Sequence, residues 1–281
     1  STDPDLGNAV SWITSRRRHP AAGYAILFLG LLLVGALYAS ITGGGAGAAA
    51  APPATVDSAQ ISQGHTIFLQ DCATCHGTGA QGQPGVAPGL IGVGAAAVDF
   101  QVSTGRMPAA ELGSENPRKP PVLNTAETHA VAAYIASLGG GPSIPGAAQV
   151  SESGANVGLG QQLFVADCAQ CHNFVGAGGA LTYGKFAPAL TQATPTQIYE
   201  AMLTGPEAMP VFNDATLTPD QKRDVVAYVT GVRSEANPGG FSLGRIGPTT
   251  EGLVAFLGLL LFMVLVAIWI TAKHGKTKTH E

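Results

Sequence analysis

All four cysteines fall in two Cys-x-x-Cys-His motifs, Cys72-Ala-Thr-Cys75-His76 and Cys168-Ala-Gln-Cys171-His172. On one helical turn this spacing lets two sulfurs bond the two vinyl groups of a haem while the adjacent imidazole points at the iron. Other uses of paired thiols fit less well. Zinc-binding pairs stand about 15 to 20 residues apart, whereas 92 residues separate Cys75 from Cys168. A redox dithiol needs a βαβ setting that the sequence lacks, and a structural disulfide does not call for a following histidine.

A His-ligated haem needs a sixth ligand. Met107 and Met209 each stand in a Met-Pro pair after a Thr-Gly turn, and a thioether offered by a rigid loop on the far face is the expected partner. The expected pairs are therefore His76/Met107 and His172/Met209. Met202 and Met263 read as gap-fillers. His65 and His129 read as solvated, because ligation by either would break the symmetry between the two motifs. Iron with both axial positions filled has no open site for substrate, and a Met ligand raises its potential relative to bis-His ligation. Electron carriage is favoured over peroxide or oxygen chemistry. Neither GxSxG, HExxH nor a phosphate loop occurs. Asp71 and Asp167, just before each first cysteine, read as solvated.

The elements that must position these groups are written twice. Residues 64–76 (GHTIFLQDCATCH) align with 160–172 (GQQLFVADCAQCH) with 7 of 13 identical. Ala-Pro-Gly-Leu at 87–90 answers Ala-Pro-Ala-Leu at 187–190, Thr104-Gly105 answers Thr204-Gly205, and 131–138 answers 225–232. Apolar spacing predicts a helix ahead of each motif, over 64–73 and 160–169, and a closing helix over 125–138 and 218–232, the last opening on Thr218-Pro219. No useful strand alternation occurs. Pro88 and Pro188 are expected to orient the imidazoles through the nearby backbone, and Tyr134 and Tyr228 to pack on Phe68 and Phe164. Arg106 either pairs with a haem propionate or faces water. Trp12 and Trp269 lie outside the repeats. The insert 111–125, without a counterpart after Met209, reads as a surface excursion rather than a docking loop. Each copy is small enough that a core needs help, and a buried haem would supply it.

Composition sets these copies in a membrane context. Charged residues make up only 11% and the formal net charge is -4. Between 43 and 251 there are 8 basic against 15 acidic side chains, net -7, the wrong sign for a nucleic-acid ligand. Two uncharged 21-residue runs, Ala21 to Ile41 and Gly252 to Ala272, match a hydrocarbon layer of roughly 30 Å at ~1.5 Å per residue. A cleaved signal peptide is the rival reading of the first run. Arg16 to Arg18 before the first span and three lysines after the second predict cytoplasmic termini, with the repeats outside the cytoplasmic membrane. The Gly/Pro/Ala/Ser-rich stretches 43–55, 139–156 and 234–250 read as linkers with no single conformation.

Each segment resembles class I cytochrome c in its opening helix with Gly and Phe, its CxxCH, its loop proline, its Met-Pro loop and its closing helix with Tyr. The expected fold is all-α, with two tandem cytochrome c domains flanked by an N-terminal and a C-terminal transmembrane helix. The expected order is a cytoplasmic tail 1–20, a span 21–41, a linker 42–56, domain 57–140, a linker 141–156, domain 157–235, a linker 236–251, a span 252–272 and a tail 273–281. The arrangement is similar to the dihaem cytochrome c subunit of the actinobacterial menaquinol:cytochrome c reductase, the cytochrome bcc complex. The resemblance implies two covalent haem c groups and a place in a cell-membrane complex. Its implied partners are a cytochrome b subunit, a Rieske iron-sulfur subunit and an aa3-type cytochrome c oxidase, in a dimeric supercomplex. Electrons would enter the first domain and leave from the second. Alternatives are a dihaem subunit of another oxidase or dehydrogenase, or a dihaem peroxidase.

Overall fold

The computed structural model describes residues 22–42, 57–111, 113, 115–235, 242–245 and 247–276. The 1–20 tail with Arg16 to Arg18, Trp12 and His19, most of the 42–56 linker, 236–241 and 277–281 with His280 lie outside the described residues. The chain divides into two units, 1–55 and 56–281.

The first unit contributes α1 (Ala22–Thr42), 21 residues without a charged side chain. Its described side chains, Tyr24 to Leu37, are exposed apolar groups or small residues. The second unit holds both copies and α10 (Pro248–Lys276). Among the described residues one helix, Pro248–Ala272, is long and apolar enough to cross a membrane, with a mean hydropathy of 3.0, while α1 offers the shorter stretch Tyr24–Leu37.

The first copy comprises α2 (Ser58–Asp71), α3 (Ala73–His76), α4 (Ala95–Ser103) and α5 (Thr125–Ser137). The second repeats the order as α6 (Val157–Asp167), α7 (Ala169–His172), α8 (Pro195–Thr204) and α9 (Pro219–Ser234). Local sequence explains where they start. The Asp57 carboxylate accepts from the Ala59 N–H at 3.1 Å. Asn124 with Glu127, Thr194 with Gln197 and Thr218 with Gln221 form reciprocal capping boxes, the last two with Pro in the first turn.

Each copy is built on one helix crossing, α2 on α5 and α6 on α9. Both crossings pass over a glycine. A Cβ on Gly64 would stand 1.9 Å from the Ala130 carbonyl oxygen, and one on Gly160 2.0 Å from that of Asp224. Close backbone approach then lets the rings meet. Phe68 lies 5.3 Å from Tyr134 at 51°, and Phe164 lies 5.3 Å from Tyr228 at 52°. The ring pairs expected from the repeat are therefore present in both copies with one geometry.

Helices α4 and α8 were not expected. They occupy equivalent places between the loop proline and the Met-Pro pair, and they pack against each other to join the copies. The second copy also departs from the expected absence of strands. Sixteen residues rather than 12 lead from its motif histidine to its loop proline, and the extra length folds into a hairpin of β1 (Gly179–Ala180) and β2 (Phe186–Ala187). The segment between the copies is tied down rather than free. Ala96 N–H donates to the Pro142 carbonyl at 3.1 Å, the Gln149 amide to the Tyr199 hydroxyl at 3.3 Å, and Asn156 N–H to Asp224 at 2.7 Å.

Candidate haem-binding site

The two motifs are placed by a break in the helix. α2 ends at Cys72, whose N–H still donates to the Phe68 carbonyl at 2.9 Å, and a new turn starts at Ala73 so that His76 N–H reaches the Cys72 carbonyl at 3.0 Å. Cys168 and His172 repeat both bonds at 2.9 Å. Both cysteines and the histidine of a motif are thereby carried on one turn. None of the four cysteines is in a disulfide. Burial, and then the neighbouring Asp71 or Asp167, pushes the Cys72 thiol up to about 11 and the Cys168 thiol up to about 12.

The imidazoles are fixed by backbone. His76 Nδ1 lies 2.8 Å from the Pro88 carbonyl oxygen, and His172 Nδ1 lies 3.0 Å from that of Pro188. A carbonyl only accepts, so Nδ1 carries the proton and Nε2 keeps a free lone pair for a metal. Burial holds His172 below the usual histidine range, with the bond to Pro188 opposing it. This is the role expected of the two prolines.

In the second copy the predicted groups border one cleft. Cys168, Cys171, His172 and Met209 line it with Phe164, Ile198, Met202, Phe212, Val225 and Val229, around ≈ 1150 Å³ of atom-free space counting the open mouth. Apolar walls, two thiols, one aimed imidazole and a thioether form a donor set whose chemistry fits a haem. In the first copy, Cys72 and Met107 pack on the core of Phe68, Val98, Val102 and Tyr134, beside the buried His76. His65 is exposed and stacks on Tyr134 at 4.7 Å. His129 is not simply solvated: its Nε2 lies 3.5 Å from Asp99.

Several residues take places that the repeat did not foretell. Lys119, in the insert, donates to the Gly105 and Pro108 carbonyls and so pins the loop carrying Met107. From the same insert, Asn116 N–H donates to Glu207 at 2.8 Å and Arg118 donates twice to Gln197 Oε1 at 3.2 Å. The insert is thus a bridge between the copies, not a surface excursion. Arg106 faces neither bulk water nor its own copy alone. It is 6% exposed, sits 3.7 Å from Glu207 and borders the second copy's cleft. On the seam, Glu200 is fully buried beside Asp99. Burial first, and the Asp99 carboxylate second, push its carboxyl up to about 10. The Thr194/Gln197 capping signal could have revealed α8; nothing in the repeat marks Glu200.

Comparison with known proteins bears on the whole chain. Residues 61–139 match the family described as cytochrome c, and 155–229 match cytochrome c oxidase, cbb3-type, subunit III. The cytochrome bc1 complex cytochrome c subunit of Mycobacterium leprae is 44% identical over 255 residues, covering 87% of each chain. That of Mycobacterium bovis is 41% identical, covering 95% of this chain and 96% of its own. The Corynebacterium diphtheriae protein is 40% identical, covering 91% and 95%. The likeness runs through both copies and both flanks, and on that extent the chain belongs to the family of cytochrome c subunits of the cytochrome bc1 complex.

Proposed function

We propose that this chain is the membrane-anchored dihaem electron carrier of a quinol:cytochrome c reductase. In this reading it takes electrons from a Rieske iron-sulfur centre, in company with a cytochrome b, and passes them to an aa3-type oxidase within a dimeric supercomplex. Cys72 and Cys75 would hold one haem c by thioether bonds, with His76 and Met107 as its protein ligands. Cys168, Cys171, His172 and Met209 would hold the other. Haem iron supplies a one-electron ferric/ferrous couple. The observation that carries the reading is the twice-built set of paired thiols, Pro-oriented imidazole and Met loop, in a chain 40–44% identical to bc1-complex cytochrome c subunits over most of its length.

The protein's own part follows from the site. Nδ1 donation to a proline carbonyl fixes each ring and makes Nε2 a better donor. A Met107 or Met209 thioether would favour ferrous iron, and the apolar residues lining the second cleft would limit water around a bound group. In this reading α1 and α10 cross the bilayer with both termini cytoplasmic. That topology holds the two haem domains close to their redox partners on the outer face at a high effective concentration.

The match of 155–229 to a cbb3-type oxidase subunit favours a second reading, a dihaem arm of another oxidase. Purification in mild detergent separates the two. Companion cytochrome b and Rieske subunits, with quinol-driven reduction of the c haems, are the expected result. A haem-copper subunit alone, with c haems that quinol leaves oxidised, overturns it.

A further inference from the structure

Resting on the haem reading above, we propose that Arg106 and Arg118 of the first copy hold the propionate carboxylates of the haem seated in the second copy. Docking of the copies then completes the second site. A haem is an apolar plate with two ionised carboxylates on its rim, and these need water or cationic donors once the plate is buried. The charged side chains that the second copy itself brings to its cleft, apart from His172, are Asp167 and Glu207, both acidic. Both arginines that border the cleft come from the first copy, which also brings the carboxylate of Glu115.

Each arginine has donors to give. Arg106 is buried with its Nε in hydrogen-bonding geometry with nothing, 3.7 Å from Glu207, and its guanidinium lies 5.0 Å from the Phe100 ring centre, which fixes its plane. Arg118 spends two N–H groups at 3.2 Å on one neutral amide oxygen, a weaker acceptor than a carboxylate. Guanidinium offers five donors in a planar fork suited to carboxylates. The device occurs once, since Ala208 stands where Arg106 does and the insert has no counterpart.

The test uses the full-length holoprotein. Covalent haem is counted by pyridine haemochrome, and both midpoints are read by spectroelectrochemistry, the second haem being assigned through Met209→His. Removing a cation near the iron favours the ferric state. Arg118→Gln, on an exposed side chain, and Arg106→Gln are each expected to shift the second haem's ferrous/ferric ratio about tenfold, ~59 mV downward, with the first unmoved. Arg106→Lys retains most of the wild-type value. An unmoved second midpoint in Arg118→Gln overturns the proposal even if Arg106→Gln does not fold. A shift confined to the first haem also overturns it, since Arg106 then acts through Met107. Fewer than two covalent haems in the wild type would instead defeat the haem reading itself.

Discussion

The two copies share what would hold iron and differ in what touches the neighbour. Phe-Tyr contacts at 5.3 Å, the glycine crossings and the imidazole bonds to proline recur almost unchanged. The rims do not recur. The first copy carries an insert that pins its Met loop and reaches across, while the second carries a longer hairpin and a cleft bordered by residues from both copies. Duplication thus leaves the repeated scaffold fixed, because each part of it contacts several others, while the seam, where α4 packs on α8 with side chains from both copies, is free to specialise.

The strongest way to break that comparison is to cut the shared scaffold in each copy. Phe68→Ala and Phe164→Ala each remove a fully buried ring, at about 3–5 kcal/mol. Equal losses in denaturant unfolding of the holoprotein are expected. A loss in one copy alone would show that the matching geometry hides unequal cores.

The scaffold was legible in the sequence because short-range chemistry writes it. The thiol spacing, the Met-Pro pairs, the closing helices and the Phe-Tyr partners all sit at fixed offsets inside each repeat. The seam was not. Asp99, Arg106, Asn116 and Arg118 belong to the first copy and Gln197, Glu200 and Glu207 to the second, with Asn116 and Glu207 91 positions apart and Arg118 and Gln197 79 apart, so only the packing of α4 on α8 brings them together. Helix α4 escaped notice because Ala95 to Val98 carries little amphipathic pattern.

A smaller effect sharpens the seam itself. Glu200 stays protonated in the fold up to about 10, whereas the unfolded chain releases that proton above 4.5. Stability is full below the lower value and falls as pH rises through the interval. The groups facing it are Asp99 on α4 and, through Asp99, His129 on α5. Glu200→Gln is expected to flatten the decline in melting temperature between about pH 6 and about pH 9. An unchanged slope would place Glu200 outside the docking energetics.

Smallest are the helix starts. Asn124→Ala and Thr218→Ala each delete a capping-box acceptor, at about 1 kcal/mol. Similar modest drops in melting temperature are expected, and a collapse of either copy would mean that its closing helix does more than pack.

The central claim is that each copy binds one haem covalently. Intact-mass spectrometry of the denatured chain tests it most directly, beside Cys72→Ala/Cys75→Ala and Cys168→Ala/Cys171→Ala variants. Two haem masses on the wild type and one on each double variant are predicted. A wild-type mass equal to the bare polypeptide, or a double variant that still carries two haems, would contradict it.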